Sequence, residues 1–188
     1  MKTTFYMVRH GQTILNQEHR IQGWSDGPLT QLGIEQALSA KEKLKDVQFD
    51  YAVCSTSNRA IETLRFIYEG NFETYDDLRE YYFGKIDGEI ETKDLLPYST
   101  DSIGFENVGG ESRFNGQKRY QACLEKIAQA HPNESIVLVS HGQILCDFFR
   151  SIDEEMAKSK EERWDQVPNG SVTIVSYDGS FKVEKQPY

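Results

Sequence analysis

The chain of 188 residues has no long hydrophobic run, since no stretch of consecutive apolar residues exceeds four. A transmembrane helix needs about 20 such residues, and the N-terminus lacks the apolar core of a signal peptide. Cysteine is also scarce, because Cys54, Cys123 and Cys146 are an odd number without metal-type spacing. We therefore expect reduced thiols in a cytoplasmic protein that has no membrane partner.

Positive charge is in deficit, with 21 Lys and Arg residues against 30 Asp and Glu residues and a net charge of -9. Attraction of the whole protein to nucleic acid is therefore not expected, and an anionic ligand has to be held by a local basic pocket. The chain has no Walker A loop and no His-Glu-x-x-His segment, and its four histidines lack the spacing of a metal cage. We expect neither a metal nor another cofactor.

What the chain does have is an alternation of strand and helix patterns over a length that suits one domain, residues 1–188. Strand patterns cover residues 4–8, 51–54, 72–75 and 135–140, and a hairpin covers 171–177 and 181–184. Helix patterns cover residues 58–68, 113–130 and 143–152. The alternation predicts an α/β fold, a three-layer α/β/α sandwich with a mostly parallel central sheet. Residues 88–110 have little periodicity and form either a lid over the site or a surface loop.

Two segments share one pattern, in which four apolar residues are followed by a polar residue, His and Gly. One ends in Arg9-His10-Gly11 and the other in Ser140-His141-Gly142. Ligands of parallel α/β sheets bind beyond the carboxyl ends of the strands, so we expect both histidines at one site. Together with Arg9 and Arg59, they suggest a site that binds phosphate.

Arg59 stands in an unusual place, because Ser57 is a good N-cap residue and puts Arg59 in the first turn of a helix. A cation there opposes the helix dipole. A bound phosphate would remove the conflict, since helix N-termini favour anions and Arg binds phosphate with two parallel hydrogen bonds. The spacing Cys54-x4-Arg59 is one residue short of the Cys-x5-Arg loop of cysteine phosphatases, so we interpret Cys54 as a buried strand residue.

The residues around His10 belong to a longer signature: Arg9-His10-Gly11, Thr13, Asn16, Arg20, Gln22-Gly23, Asp26, Pro28-Leu29-Thr30, Gly33 and Gln36-Ala37. In order and spacing it resembles the opening signature of the histidine phosphatase superfamily, the phosphoglycerate mutase-like family. Gln12 is a departure, because many members have Glu there. Residues 55–63 are similar to the family's Ser-x-x-x-Arg-Ala-x-x-Thr block, and residues 78–88 to its Leu-x-Glu-x-x-x-Gly-x-x-x-Gly block. Ser140-His141-Gly142 matches its second His-Gly, so the resemblance covers almost the whole chain.

The resemblance implies a phosphoglycerate mutase-like fold and an enzyme of the histidine acid phosphatase type, a phosphoric monoester hydrolase. The catalytic residues would be His10, Glu80, Arg9, Arg59 and His141. The substrate-binding residues would be Arg9, Thr13, Asn16, Gln22, Gly23, Arg59 and Gly142. A neutral imidazole is a good nucleophile near neutral pH, so His10 would form the phosphohistidine. Glu80 would be the proton donor, which requires a raised pKa.

We therefore expect a metal-independent phosphomonoesterase that hydrolyses a small phosphorylated metabolite through phosphohistidine. A mutase dependent on 2,3-bisphosphoglycerate is the first alternative. It is disfavoured because residues 84–112 contain Lys85 and Lys93 against seven acidic residues and no Arg. A phosphate-binding regulatory module without turnover is the second alternative. Trp24 either forms a wall of the pocket or is simply packed.

Overall fold

The computed structural model describes residues 2–92, 104–159 and 166–188. The strands in these ranges are β1 (Thr3–Arg9), β2 (Tyr51–Ser55), β3 (Glu73–Tyr75), β4 (Ser135–Ser140), β5 (Val172–Tyr177) and β6 (Phe181–Lys185). The α-helices in the same ranges are α1 (Ile14–Gln17), α2 (Gln31–Lys43), α3 (Asn58–Ile67), α4 (Arg113–Ala130), α5 (Gly142–Ile152) and α6 (Glu154–Lys158). Short 3₁₀ turns lie at Asp76–Leu78, Gly84–Ile86 and Glu106–Val108.

The strands form one mixed sheet in the order β3-β2-β4-β1-β5-β6. Neighbours are parallel from β3 to β1, and the C-terminal hairpin adds β5 and β6 as antiparallel strands. The register pairs Arg9 with Ser140. The residues that follow β1 and β4 therefore lie side by side at the same edge of the sheet.

Helices cover both faces of this sheet. Along β1, Phe5 and Met7 belong to the core cluster that contains residues of α4 and α5. Val8 lies on the other face and belongs to the cluster that contains residues of α2 and α3. This alternation is the two-residue period of a strand that is buried on both sides. The predicted class, a mostly parallel α/β sheet between helices, is confirmed.

Most predicted elements coincide with the observed ones to within two residues. The short helices α1 and α6 were not predicted, and neither was the longer α2. Its buried residues are the small Gly33, Ala37 and Ala40, whereas Leu32 and Leu38 are about half exposed. Hydrophobic periodicity therefore gave no signal for this helix. A local signal was present at its N-terminus, where Thr30 Oγ1 accepts a hydrogen bond from the Gly33 N–H at 3.0 Å.

A close approach of two backbones holds the loop that follows β1. A Cβ atom on Gly11 would overlap the carbonyl oxygen of Gly33, and a Cβ atom on Gly33 would overlap that of Gln12. Only glycine allows this contact between the loop and the first turn of α2. The contact lies next to His10 and restricts how the chain leaves β1.

Two predictions from the sequence concern whole segments: a lid or surface loop at residues 88–110, and the lack of a transmembrane helix. Of the stretch 88–110, residues 93–103 lie outside the described ranges, so the lid or surface loop stays a prediction. Among the described helices, none combines the length and the apolar character that crossing a membrane requires.

Candidate active site

His10 and His141 lie at the carboxyl ends of the neighbouring parallel strands β1 and β4. Their ring centroids are 5.3 Å apart, and both side chains are buried. The His10 N–H donates to the Ser140 carbonyl at 3.0 Å, which continues the pairing of the two strands beyond their ends. The sheet register thus brings together the two histidines that the sequence pattern singled out.

His10 is held in one tautomer by its own backbone. Its Nδ1 lies 2.8 Å from the carbonyl oxygen of Gly11, and only a protonated nitrogen satisfies that acceptor. In the neutral ring, Nε2 therefore carries the lone pair, to which Arg59 Nε donates at 3.2 Å. Burial and the charges of Arg59 and Arg9 lower the pKa of His10 well below its usual value. The ring is consequently neutral at physiological pH.

Arg59 is completely buried and is fixed by the loop that precedes α2. Its Nη2 donates to the Gly23 carbonyl at 2.8 Å, and its Nη1 donates to the Ser25 carbonyl at 3.0 Å and to Asp26 Oδ1 at 3.2 Å. These bonds orient the whole guanidinium and leave its Nε facing His10.

Asp26 also resolves the helix-dipole conflict that the sequence suggested for Arg59. Ser57 is the N-cap of α3, as expected, but its side chain makes no capping hydrogen bond. Instead the Asp26 carboxylate accepts hydrogen bonds from the backbone N–H groups of Asn58 and Arg59. The anion at the start of α3 is therefore a protein carboxylate.

His141 is the N-cap residue of α5 and makes a side-chain contact with β2. Its Nε2 lies 2.8 Å from Ser55 Oγ, which also accepts the Ser57 N–H at 3.2 Å. Within the described ranges, Nδ1 of His141 is buried without a hydrogen-bond partner. Burial, followed by the charge of Arg59, lowers the pKa of His141 well below its usual value, so this ring is also neutral.

Glu80 is a buried carboxylate that caps α5. Its Oε1 accepts from the Tyr81 N–H at 3.0 Å and the Ile144 N–H at 2.9 Å, and its Oε2 accepts from the Gln143 N–H at 2.8 Å. Burial raises the pKa of Glu80, while these N–H groups and the charge of Arg59 act in the opposite direction. The net shift is upward, in the direction that a proton donor requires.

The other predicted site residues divide into two groups. Arg9, Asn16, Gln22 and Gly142 line a cavity together with His10 and Glu80. Thr13 and Gly23 are not among its lining residues. Thr13 Oγ1 donates to Gln22 Oε1 at 2.7 Å, and the Gly23 N–H donates to Asp87 Oδ1 at 2.9 Å. Thr13 thus holds the side chain of Gln22, and the carbonyl of Gly23 accepts a hydrogen bond from Arg59.

The cavity has a volume of about 150 Å³, below the roughly 300–1,000 Å³ of sites for drug-sized ligands. Four of its lining residues were not predicted: Ile21, Phe83, Glu91 and Gln143. Gln143 could have been found, because it is the second residue of the helix that begins after His141. The other three lie on non-helical segments whose position the sequence pattern does not determine.

Two further residues are placed by the structure. Trp24 is about half exposed, is absent from the cavity lining, and its Nε1 donates to the Glu80 carbonyl at 3.1 Å. It is therefore not a wall of this cavity; of the two expectations, the packed residue is the one observed, since its ring packs against Tyr82 and the guanidinium of Arg79. Cys54 is buried in β2, as expected, and burial raises the pKa of its thiol to about 12, which makes it a poor nucleophile.

The sheet order and the covering of both faces define the class of the protein: a phosphoglycerate mutase-like α/β fold with two histidines at the ends of adjacent strands. The chain belongs to the histidine phosphatase superfamily (branch 1), whose family model matches residues 5–186. The resemblance inferred from the motifs is thereby confirmed.

Relatives of this chain include proteins named as mutase-like and proteins named as phosphatases. The chain is 32% identical to phosphoglycerate mutase-like protein 4 of Arabidopsis thaliana, over 92% of this chain and 79% of the relative. It is 29% identical to a metal-independent phosphoserine phosphatase of the same plant, over 92% of this chain and 76% of the relative. Among solved structures, YhfR of Bacillus stearothermophilus has a TM-score of 0.83 and 28% identity, covering 97% of this chain and 96% of that chain.

Proposed function

We propose that this protein is a metal-independent phosphomonoesterase that acts through a phosphohistidine at His10. The observation that supports this most directly is the tautomer of His10. Its Nδ1 is committed to the Gly11 carbonyl, so the unprotonated Nε2 faces the guanidinium of Arg59. A neutral imidazole nitrogen beside a buried cation is suited to attack a phosphoryl group.

The remaining residues have complementary roles in this mechanism. Phosphoryl transfer depends mainly on positioning and on stabilising charge on the equatorial oxygens. Arg9, Arg59 and His141 provide that stabilisation, and Asn16 adds a neutral donor. Glu80 protonates the leaving alkoxide when Nε2 attacks phosphorus. The resulting carboxylate then takes a proton from the water that hydrolyses the phosphohistidine, which returns both groups to their starting states.

The charge of residues 84–112, of which Glu91 lines the cavity, supports hydrolysis over mutase chemistry. In the described parts of residues 84–112, Lys85 is accompanied by five acidic residues: Asp87, Glu89, Glu91, Glu106 and Glu111. A bisphosphate would be repelled from such a surface. Relatives with mutase names keep a bisphosphoglycerate-dependent mutase as the second candidate, and a binding module without turnover is the third.

The test is to trap the intermediate. The protein is mixed with a ³²P-labelled phosphomonoester in EDTA and quenched in base, and protein-bound phosphate that acid releases is counted. Wild type and the control His19→Ala, which removes an exposed histidine, should retain label. His10→Ala should retain none and should lose turnover. Substantial turnover by His10→Ala, with a normal circular dichroism spectrum, would overturn the mechanism.

A further inference from the structure

We infer that Arg119 is a positioning residue for the proposed reaction, because its guanidinium fixes the backbone of Glu80 and so keeps the carboxyl of Glu80 in place beside the cavity. This inference rests on the proposed function, which makes Glu80 the proton donor. Glu80 lines the cavity and Arg119 does not. Arg119 therefore acts through Glu80 and not on the substrate.

Glu80 lies on a segment that has no regular secondary structure to hold it. The 3₁₀ turn Asp76–Leu78 ends before it, and the next turn begins at Gly84. The carbonyls of such a segment have no helix or sheet partners and need others where they are buried. Because Glu80 is itself buried, its position depends on the groups that bind this backbone.

Arg119, in α4, uses all five of its N–H donors, and three of them bind this backbone. Nη1 donates to the carbonyls of Asp77 at 2.8 Å and Arg79 at 2.9 Å, and Nη2 donates to that of Glu80 at 2.9 Å. The other two donors form a bidentate pair with Glu111, from Nη2 at 2.6 Å and from Nε at 3.1 Å. The orientation of the guanidinium is thus fully determined.

Glu111 extends this contact to the other side of Glu80. Its Oε1 accepts from the Tyr82 N–H at 3.0 Å, and its own N–H donates to the Tyr82 carbonyl at 2.9 Å. The side chains of Arg119 and Glu111 are each 19% exposed, so water competes little for these bonds. One ion pair therefore binds the backbone before, at and after Glu80.

The carboxyl of Glu80 is held separately, at the N-terminus of α5. It accepts from the N–H groups of Gln143 and Ile144, which have no partner within their own helix. Arg119 from α4 and these N–H groups from α5 thus fix the backbone and the side chain of Glu80. Without Arg119 the backbone is free to shift, and a displacement of about 1 Å can cost roughly 10²-fold in rate.

The kinetic test compares phenyl phosphate with p-nitrophenyl phosphate, which share a ring and differ in how much the leaving oxygen needs a proton. Arg119→Met should lower kcat/KM roughly 10–100-fold for phenyl phosphate and less than about 5-fold for p-nitrophenyl phosphate. In a Glu80→Gln background the same substitution should add less than about 3-fold on either substrate, because the group that Arg119 positions is already gone.

Two control variants separate positioning from general damage to α4. Lys118→Met removes the charge of the neighbouring, exposed residue, and Ile127→Val trims a core side chain of the same helix. Both should leave the ratio of kcat/KM for the two substrates within about 2-fold of wild type, since neither residue binds the backbone of Glu80.

A second measurement needs no turnover. Amide hydrogen exchange of the free protein is followed at Gln143 and Ile144, whose N–H groups bind the carboxyl of Glu80 and not Arg119. Arg119→Met should accelerate exchange at these two amides roughly 10-fold more than at the core amides of β4, because the opening is local. Ile127→Val should show no such difference.

Arg119→Lys keeps the charge and tests the geometry, and it replaces Arg119→Met should that variant not fold. An ammonium has three donors and cannot form five bonds in one plane. Lysine should therefore shift the substrate ratio and the exchange in the same direction as methionine. Equal losses on the two substrates, full recovery by lysine, or unchanged exchange at Gln143 and Ile144 would each overturn the inference. The trapping of phosphohistidine on wild type is independent of these results, so its failure would contradict the proposed function alone.

Discussion

Nε of Arg59 donates a hydrogen bond to Nε2 of His10 over 3.2 Å, so the proposed nucleophile already has a cationic partner before substrate binds. A phosphoryl group that approaches Nε2 has to replace the imidazole as the acceptor of this hydrogen bond. Arg59 can make the exchange without moving far, because bonds to Gly23, Ser25 and Asp26 fix the rest of its guanidinium. The arginine therefore exchanges a partner while keeping its position.

Arg59→Lys should lower kcat/KM by roughly 10²–10⁴, the range for the loss of one electrostatic stabiliser. A lysine ammonium cannot reproduce a planar group that binds two carbonyls, a carboxylate and His10 together. The measurement is steady-state kinetics with a thermal melt of each variant. Arg65→Lys, which changes another arginine of the same helix, is the matched control and should retain activity. A kcat/KM within threefold of wild type for Arg59→Lys would remove Arg59 from the site.

Glu80→Gln should slow the cleavage of poor leaving groups far more than that of good ones. A general acid contributes roughly 10²–10⁴ to rate, and an alkyl phosphate needs that proton whereas p-nitrophenyl phosphate needs it little. Phosphorylation rates are compared on both substrates in single turnovers.

The same substitution places an amide NH₂ against at least one of three backbone N–H groups. We therefore also expect a loss of roughly 0.5–2 kcal/mol in the free energy of unfolding, as for a lost helix cap. Equal rate defects on the two substrates would assign the proton to another group. Two other acidic residues are already engaged, since Asp87 accepts from the Gly23–Ser25 backbone and Glu111 accepts from Arg119.

Stability should fall as the pH falls below 6.5, because folding keeps His10 and His141 neutral. Their folded pKa values lie well below the ordinary 6.5, so below that pH the unfolded chain binds protons that the folded chain does not. Each histidine then contributes a slope of up to about 1.4 kcal/mol per pH unit. Stability from this source is fully present above pH 6.5.

The measurement is urea unfolding at several values between pH 7 and 5 for wild type, His10→Gln and the control His19→Gln. His10→Gln should show a slope that is shallower by up to about 1.4 kcal/mol per pH unit, whereas the exposed His19 should make little difference. Parallel curves for wild type and His10→Gln would show that His10 titrates alike in the folded and unfolded chains.

Bisphosphate should not convert the protein into a mutase. A mutase must bind a second anionic group and keep water from the phosphohistidine. The carboxylate of Glu91, which lines the cavity, opposes the first requirement. The protein is incubated with 3-phosphoglycerate, with and without 2,3-bisphosphoglycerate, while 2-phosphoglycerate and free phosphate are followed. Bisphosphate-dependent interconversion with little release of phosphate would replace the phosphatase proposal by the mutase.

Much of the sheet could be predicted from the sequence, because its central strands are short apolar runs with clear ends. The run before His141 coincides with β4, residues Ser135–Ser140. The convergence of His10 and His141 also followed, since two parallel strands with the same ending place their next residues at one edge. For these strands and the two histidines, the local hydrophobic pattern is enough to predict the position in the folded protein.

The rest of the site depends on contacts between segments that are distant in sequence. The carboxylate of Asp26 caps a helix 32 residues later, and Glu80 caps one that begins 62 residues after it. Neither residue has local periodicity, and an acidic side chain in a loop is most often solvated. Glu91 is placed at the cavity by a β-bridge between Arg20 and Ile90, which no spacing in the sequence predicts.

The pairing of Arg9 with Ser140 determines which parts of this fold tolerate insertions and deletions. Deleting or inserting one residue within β1 or β4 would move one histidine to the opposite face of the sheet, because side chains alternate with a period of two. An insertion in a connection between strands leaves that pairing intact, and its entropic cost grows only slowly with length. Diversification of such a scaffold should therefore concentrate in the connections that surround the leaving group, while the distance between the two imidazoles is inherited unchanged.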